Sequence, residues 1–156
     1  MLFEEYATHR KSDRGQEEIG WLLLGYRGGN SATVVASLPA GAERDAGETH
    51  VAFHGDAQAF AASLLRQDDR RLTILGVVHT HPGTMRSPSH EDYRGDRDWV
   101  ANLRGGEGVF AIGTVATASD GASTTVAEHP AENIQRYQGL QFNWYALAQG
   151  DTRYHR

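Results

Sequence analysis

Three features of the sequence predict an α/β fold, in the looser α+β sense, with a mixed central β-sheet flanked by helices. Residues 72–81 form a long β-prone run, LTILGVVHTH, suited to a central strand. Residues 19–26 form an apolar run closed by Arg27-Gly28-Gly29-Asn30, the composition of a turn between two strands. Between them, residues 56–70 change period, with Ala57, Phe60, Ala61, Leu64 and Leu65 spaced to share one helical face.

Taken in order, the first apolar run pairs with a return strand over 32–38, rich in β-branched residues and ended by Pro39-Ala40-Gly41, and a third strand is expected over 49–54. The helix of residues 56–70 has Asp56 as its cap. The central strand ends on His79 and His81, where Pro82-Gly83 stops it. Ser87-Pro88-Ser89-His90-Glu91-Asp92 reads as a helix start, and the helix continues through Val100 and Leu103 to Gly105-Gly106. Strands are expected over 109–115 and 123–127. Residues 131–148 carry Ile134, Tyr137, Leu140, Trp144 and Leu147 at helical spacings interrupted by Gly139, so 131–156 is expected to be a terminal helix and tail. With no repeat, low-complexity linker or second-domain boundary, residues 1–156 read as a single domain.

The bulk properties narrow the function classes. With 39% hydrophobic and 22% charged residues, the chain has the composition of a folded domain. A net charge of −5 leaves no basic surplus to displace counterions from phosphates, so nucleic acid is not an expected partner. The absence of cysteine excludes disulfides, thiol nucleophiles and Cys-held metals, so any metal must use N and O ligands. Met1-Leu2-Phe3-Glu4-Glu5-Tyr6 is acidic and lacks the basic flank and apolar stretch of a signal peptide. No later run approaches the roughly 20 apolar residues of a membrane span. A cytoplasmic location without membrane association is the expectation.

Alternate side chains of a strand share a face, so His79 and His81 project together with Thr80 opposite. Two imidazoles aimed at one point suit zinc, and a catalytic site needs a third protein ligand and an open position for water. Asp92, across a glycine-containing loop at the next helix start, is the best third ligand. Ser89 and Asp92 also form a capping-box pattern, Ser-x-x-Asp, which alone would account for both.

His79-x-His81, seven residues, Ser89, two residues and Asp92 reproduce the signature His-x-His-x(7)-Ser-x(2)-Asp without a gap. On this pattern the chain resembles the JAMM (MPN+) zinc metalloproteases. The family also has a segment of the form Glu-x-x-Gly-(apolar)3-Gly, for which this chain offers Glu18-Ile19-Gly20-Trp21-Leu22-Leu23-Leu24-Gly25. Gly25 selects Glu18, but Trp21 stands where the family has its first glycine. If Gly20 takes that place, Glu17 is the match. The resemblance spans about residues 17–123.

The resemblance implies an MPN/JAB domain with an architecture like that of the cytidine deaminases. It implies one zinc ion on His79, His81 and Asp92, with Glu18 as general base for a water of lowered pKa, and Ser89 as donor to the tetrahedral oxyanion. The implied activity is hydrolysis after the C-terminal Gly-Gly of a ubiquitin-like protein. The chain would then serve a prokaryotic modifier system, in deconjugation or precursor processing, or in release of an amino acid from a sulfur-carrier protein. A metal-free scaffold that binds a ubiquitin-like tail is the alternative from another class. A homodimer is compatible with the family. Met85 and Arg86, in the loop before Ser89, either face the substrate or belong to a solvated loop, and Asp96 and Asp98 either orient the imidazoles or, as the preferred reading, face solvent.

Overall fold

The computed structural model describes residues 1–29, 31–39, 59, 63–67, 69–117 and 133–156. Helix α1 spans Leu2–Arg10, strand β1 Gly20–Gly28, β2 Ser31–Pro39 and β3 Thr73–Thr80. Helix α2 spans His90–Asn102, followed by β4 Glu107–Val115, β5 Ile134–Tyr137 and β6 Leu140–Ala148. The strands form one six-stranded sheet in the order β2-β1-β3-β4-β6-β5. Among the described strands only β3 and β4 run parallel; the other pairings are antiparallel, so the sheet is mixed as expected. The parallel pair needs a crossover, and α2 supplies it.

The two sheet faces have different covers. One face buries Trp21, Leu23, Leu75, Val78, Ala111 and Phe142 with Tyr6 of α1. Phe3 and Phe142 meet edge to face at 4.9 Å. The other face buries Leu22, Val77, Phe110 and Leu147 with Val100 of α2. Because neighbours in sequence point to opposite faces, Trp21 belongs to the α1 side while Gly20 and Leu22 belong to the α2 side. There the Trp21 indole N–H donates to the Glu5 carboxylate.

The described residues 133–156 overturn the helix and tail expected over 131–156. They hold the β5–β6 hairpin and an irregular tail. Tyr137 pairs with Leu140 across a two-residue turn in which Gln138 has φ 48° and Gly139 φ 78°. Two successive positive φ values define the hairpin turn whose twist matches antiparallel strands. The apolar spacing that looks helical is produced by a strand whose two faces are both buried: Leu140, Gln141, Phe142 and Asn143 are all enclosed. Amphipathic alternation is lost when both faces are covered.

Helix α1 has no counterpart among the elements expected from the sequence. Its signal is short: apolar Leu2, Phe3 and Tyr6, with acids in the first turn and His9 and Arg10 in the last. Of the helix expected over 56–70, residues 63–67 are helical, and Leu64, counted on its apolar face, is exposed. Residue 59 is also helical, 69 and 70 are not, and the other positions of that helix, with the strands expected over 49–54 and 123–127, lie outside the described residues.

Candidate metal centre

The register of β1, β3 and β4 builds the site. Gly20 faces His79 across β1–β3, and the ladder continues with the Thr80 N–H donating to the Ile19 carbonyl at 2.9 Å. The Ile19 N–H donates to the Thr80 hydroxyl at 3.0 Å. Continuing one residue further sets Glu18 against His81. Paired residues share a face, so Glu18, His79 and His81 all lie on the α2 side, at the carboxyl end of β3. This is the end of a parallel unit where ligand sites collect.

Helix α2 brings the third donor. Ser89 is its N-cap: the Ser89 hydroxyl accepts from the Asp92 N–H at 3.1 Å, and the Asp92 carboxylate accepts from the Ser89 N–H at 2.5 Å. This closed capping box fixes the first turn and aims Asp92 at the strand end. The Asp92 carboxylate lies 3.0 Å from His79 Nε2 by one oxygen and 3.4 Å from His81 Nε2 by the other. The two imidazole Nε2 atoms are 3.2 Å apart. The capping reading of Ser89 and Asp92 and the cluster reading are therefore satisfied by the same geometry.

His79, His81 and Asp92 each present one ligand atom within 4.8 Å of the others, so the group could hold a metal ion. The donor set fits a borderline divalent metal such as zinc, with two imidazoles and one carboxylate. The second ring nitrogen of His81 supports this: Nδ1 lies 3.1 Å from the Met85 carbonyl, which holds the proton at Nδ1 and leaves the Nε2 lone pair for a metal. That carbonyl is the orienting group that sequence alone does not identify. The Met85 side chain is exposed, and Arg86 is tied through its guanidinium to the Thr117 hydroxyl at 3.0 Å.

Electrostatics bind the cluster when it holds protons rather than metal. Burial opposes a charge on His79, but the hydrogen bond and charge of Asp92, with the charges of Glu18 and Asp96, raise its pKa above the ordinary value. Burial likewise opposes ionisation of Asp92, and the hydrogen bonds from His79, His81 and the Ser89 backbone hold it well below the usual carboxylate range.

Glu18 is only 4% exposed. Glu17 points elsewhere: its carboxylate pairs with Arg14 at 2.6 Å, and its carbonyl meets His9 Nε2 at 2.8 Å. The structure thus brings Glu18 to the face of the histidines, with Glu17 on the other side of the chain. Asp96 departs from the solvent-facing expectation. It is 6% exposed, one turn beyond Asp92 on α2, and accepts a 2.7 Å hydrogen bond from the Tyr154 hydroxyl. Burial, only partly offset by that bond, pushes its carboxyl up to about 7. The i to i+4 spacing of Asp92 and Asp96 is the signal that could have placed it inward. Asp98 shows the expected exposure.

Among the described residues, no helix is long and apolar enough to cross a membrane. A search of the curated proteins finds no match to this chain. The family model described as prokaryotic homologs of the JAB domain matches residues 1–132, which include Glu18, both histidines, Ser89 and Asp92. The chain therefore belongs to the family of prokaryotic homologs of the JAB domain, which includes metallohydrolases.

Proposed function

We propose that this protein is a zinc-dependent peptidase or isopeptidase that cleaves after the C-terminal Gly-Gly of a ubiquitin-like protein in a prokaryotic modifier system. The observation that carries the reading is the meeting of the His79-His81-Asp92 group with the buried Glu18 on one face of one strand end. Family membership supports a peptidase role, and the Gly-Gly substrate rests on the resemblance of the motif.

His79, His81 and Asp92 would hold the metal. When bound, zinc supplies Lewis acidity to water and to the scissile carbonyl. Glu18, kept from bulk solvent, accepts the proton that water loses on attack and returns it to the departing amine. The Ser89 hydroxyl accepts from the Asp92 N–H, so its own proton is oriented outward and available to the oxyanion. Thr80 keeps the Glu18 segment in register by holding Ile19. The remaining polar supports, the Met85 carbonyl and the capping box, orient His81 and Asp92 before any substrate arrives.

The test is a zinc titration of metal-free wild type, His79→Ala and Glu18→Gln, with cleavage of ubiquitin-like fusions bearing a Gly-Gly extension. One zinc per chain in wild type and Glu18→Gln, none in His79→Ala, and cleavage only in wild type is the expected result. Failure of wild type to bind zinc would replace the peptidase with a scaffold that binds a ubiquitin-like tail. Zinc binding without cleavage of any fusion would remove the substrate class.

A further inference from the structure

The α2-side face of the sheet does not become apolar beyond the histidines. His79 is level with Ile112 of β4, which faces Asn143 of β6, which faces Ile134 of β5. The next row begins with Glu18 and His81. The His81 N–H donates to the Gly113 carbonyl at 2.9 Å, which continues the parallel ladder and sets His81 beside Thr114. Thr114 faces Gln141, and Gln141 faces Arg136. The row that runs from the residue two before β1 and the residue just after β3 across β4, β6 and β5 therefore reads Glu18, His81, Thr114, Gln141, Arg136, and every side chain in it is polar.

Thr114 and Gln141 in this row are 0% exposed, and Asn143 in the row before it is 4% exposed. Arg136 Nε donates to Gln141 Oε1 at 3.0 Å, and Gln141 Nε2 donates to Asn143 Oδ1 at 3.0 Å. Arginine can only donate, so this chain fixes the orientation of both amides. It ends on Asn143 Nδ2, which has no hydrogen-bond partner among the described residues; the Thr114 hydroxyl has none among them either. Two orphaned buried groups beside each other's strands are a cost that folding alone does not require, since valine would fill the Thr114 position. Thr114 lies one strand, about 5 Å, from His81, and Asn143 two strands, about 10 Å, from His79.

We infer that Thr114 and Asn143 form a substrate subsite next to the metal donors, which takes an sp² oxygen, carbonyl or carboxylate, of the chain being cleaved. The Asn143 N–H and the Thr114 O–H are both donors. Such a set selects an acceptor oxygen. The loop after β3 crosses this region, pinned by the Tyr145 hydroxyl to the Arg86 carbonyl at 2.9 Å and by Arg86 to Thr117. Asn143, Gln141 and Arg136 all lie beyond residues 1–132, so the subsite is built largely by the segment that the family model does not match.

This inference rests on the peptidase reading for its meaning, and two separate measurements keep the two apart. The first titrates zinc-loaded, 15N-labelled protein with acetate and with N-acetylglycylglycinamide and follows the Asn143 side-chain amide resonances. A shift with acetate identifies a carboxylate as the source of the oxygen, that of the freed Gly-Gly terminus or of a released amino acid; a shift with the blocked dipeptide identifies the acyl-side carbonyls. Resonances unmoved by either probe overturn the subsite. The second measures melting temperature and the KM and kcat of the cleavage reaction for Thr114→Val, with Asn143→Asp, which keeps the acceptor for Gln141, as the companion variant. A melting temperature of Thr114→Val no lower than wild type, with KM raised about tenfold and kcat little changed, is the expected result. A lowered melting temperature with unchanged KM would mean a structural role and overturn it. Shifted resonances without any cleavage leave the subsite standing and remove the peptidase.

Discussion

Thr80 holds Ile19 with two groups: its N–H donates to the Ile19 carbonyl at 2.9 Å and its hydroxyl accepts from the Ile19 N–H at 3.0 Å. Thr80 is 1% exposed, on the face opposite the histidines it separates. It fixes where the chain enters β1, and so where Glu18 stands. Thr80→Val keeps the shape and leaves the Ile19 N–H without its acceptor, a loss of about 1–3 kcal/mol. Zinc stoichiometry should stay at wild type while kcat falls, and Thr80→Ser should restore both stability and kcat. Unchanged kcat in Thr80→Val would show that Glu18 needs no such support.

Ser89 and Asp92 share one capping box but not one function. Ser89→Ala removes a cap, which costs about 1 kcal/mol, and on the proposed mechanism also removes an oxyanion donor, so kcat should fall by about 10²–10³. Zinc affinity should remain. Asp92→Asn keeps an acceptor for the Ser89 N–H and should lose zinc while α2 keeps its first turn. Circular dichroism and metal titration on the two variants separate capping from ligation.

Asp96 makes the stability of the metal-free protein depend on pH. Its carboxyl rises from 3.8 to about 7, so between these values the folded state holds a proton that the unfolded chain has released. The stability this supplies is complete below about pH 4 and is lost as the pH rises through 7. Asp96→Asn keeps an acceptor for Tyr154 and removes the titration. The metal-free variant should match wild type near pH 4 and exceed it at pH 8, by up to roughly 4 kcal/mol at about 1.4 kcal/mol per unit. Denaturant midpoints at the two pH values read the difference; an equal gap at both would refute a buried neutral Asp96.

Gly76 lets β3 approach β4. A Cβ there would lie 1.8 Å from the Val109 carbonyl oxygen, and the obstacle is backbone, which cannot rotate away. Gly76→Ala should cost about 3 kcal/mol or more and weaken zinc binding by displacing the strand that carries both histidines. A melting temperature within two degrees of wild type would show that the strands can separate at no cost.

Much of the site is legible without coordinates because its spacing is dictated by local geometry. Period two puts His79 and His81 on one face, and Ser89 with Asp92 states both a cap and a third donor that could serve a metal. The choice between Glu18 and Glu17 is different. Adjacent strand residues point to opposite faces, and only the pairing of Gly20 with His79 says which face is which. Trp21 looked like a departure from the family pattern, yet its side chain enters the α1-side core and leaves the metal side untouched.

By itself, then, the sequence determined a mixed α/β chain, a histidine pair at a strand end and a capped helix carrying a carboxylate, since each is set by neighbours a few residues apart. The tertiary structure decided the β5–β6 hairpin, the buried Asp96 and the polar row from Glu18 to Arg136. Those depend on which strands lie side by side and which faces are covered, and contacts between residues dozens of positions apart leave no period in the chain to read.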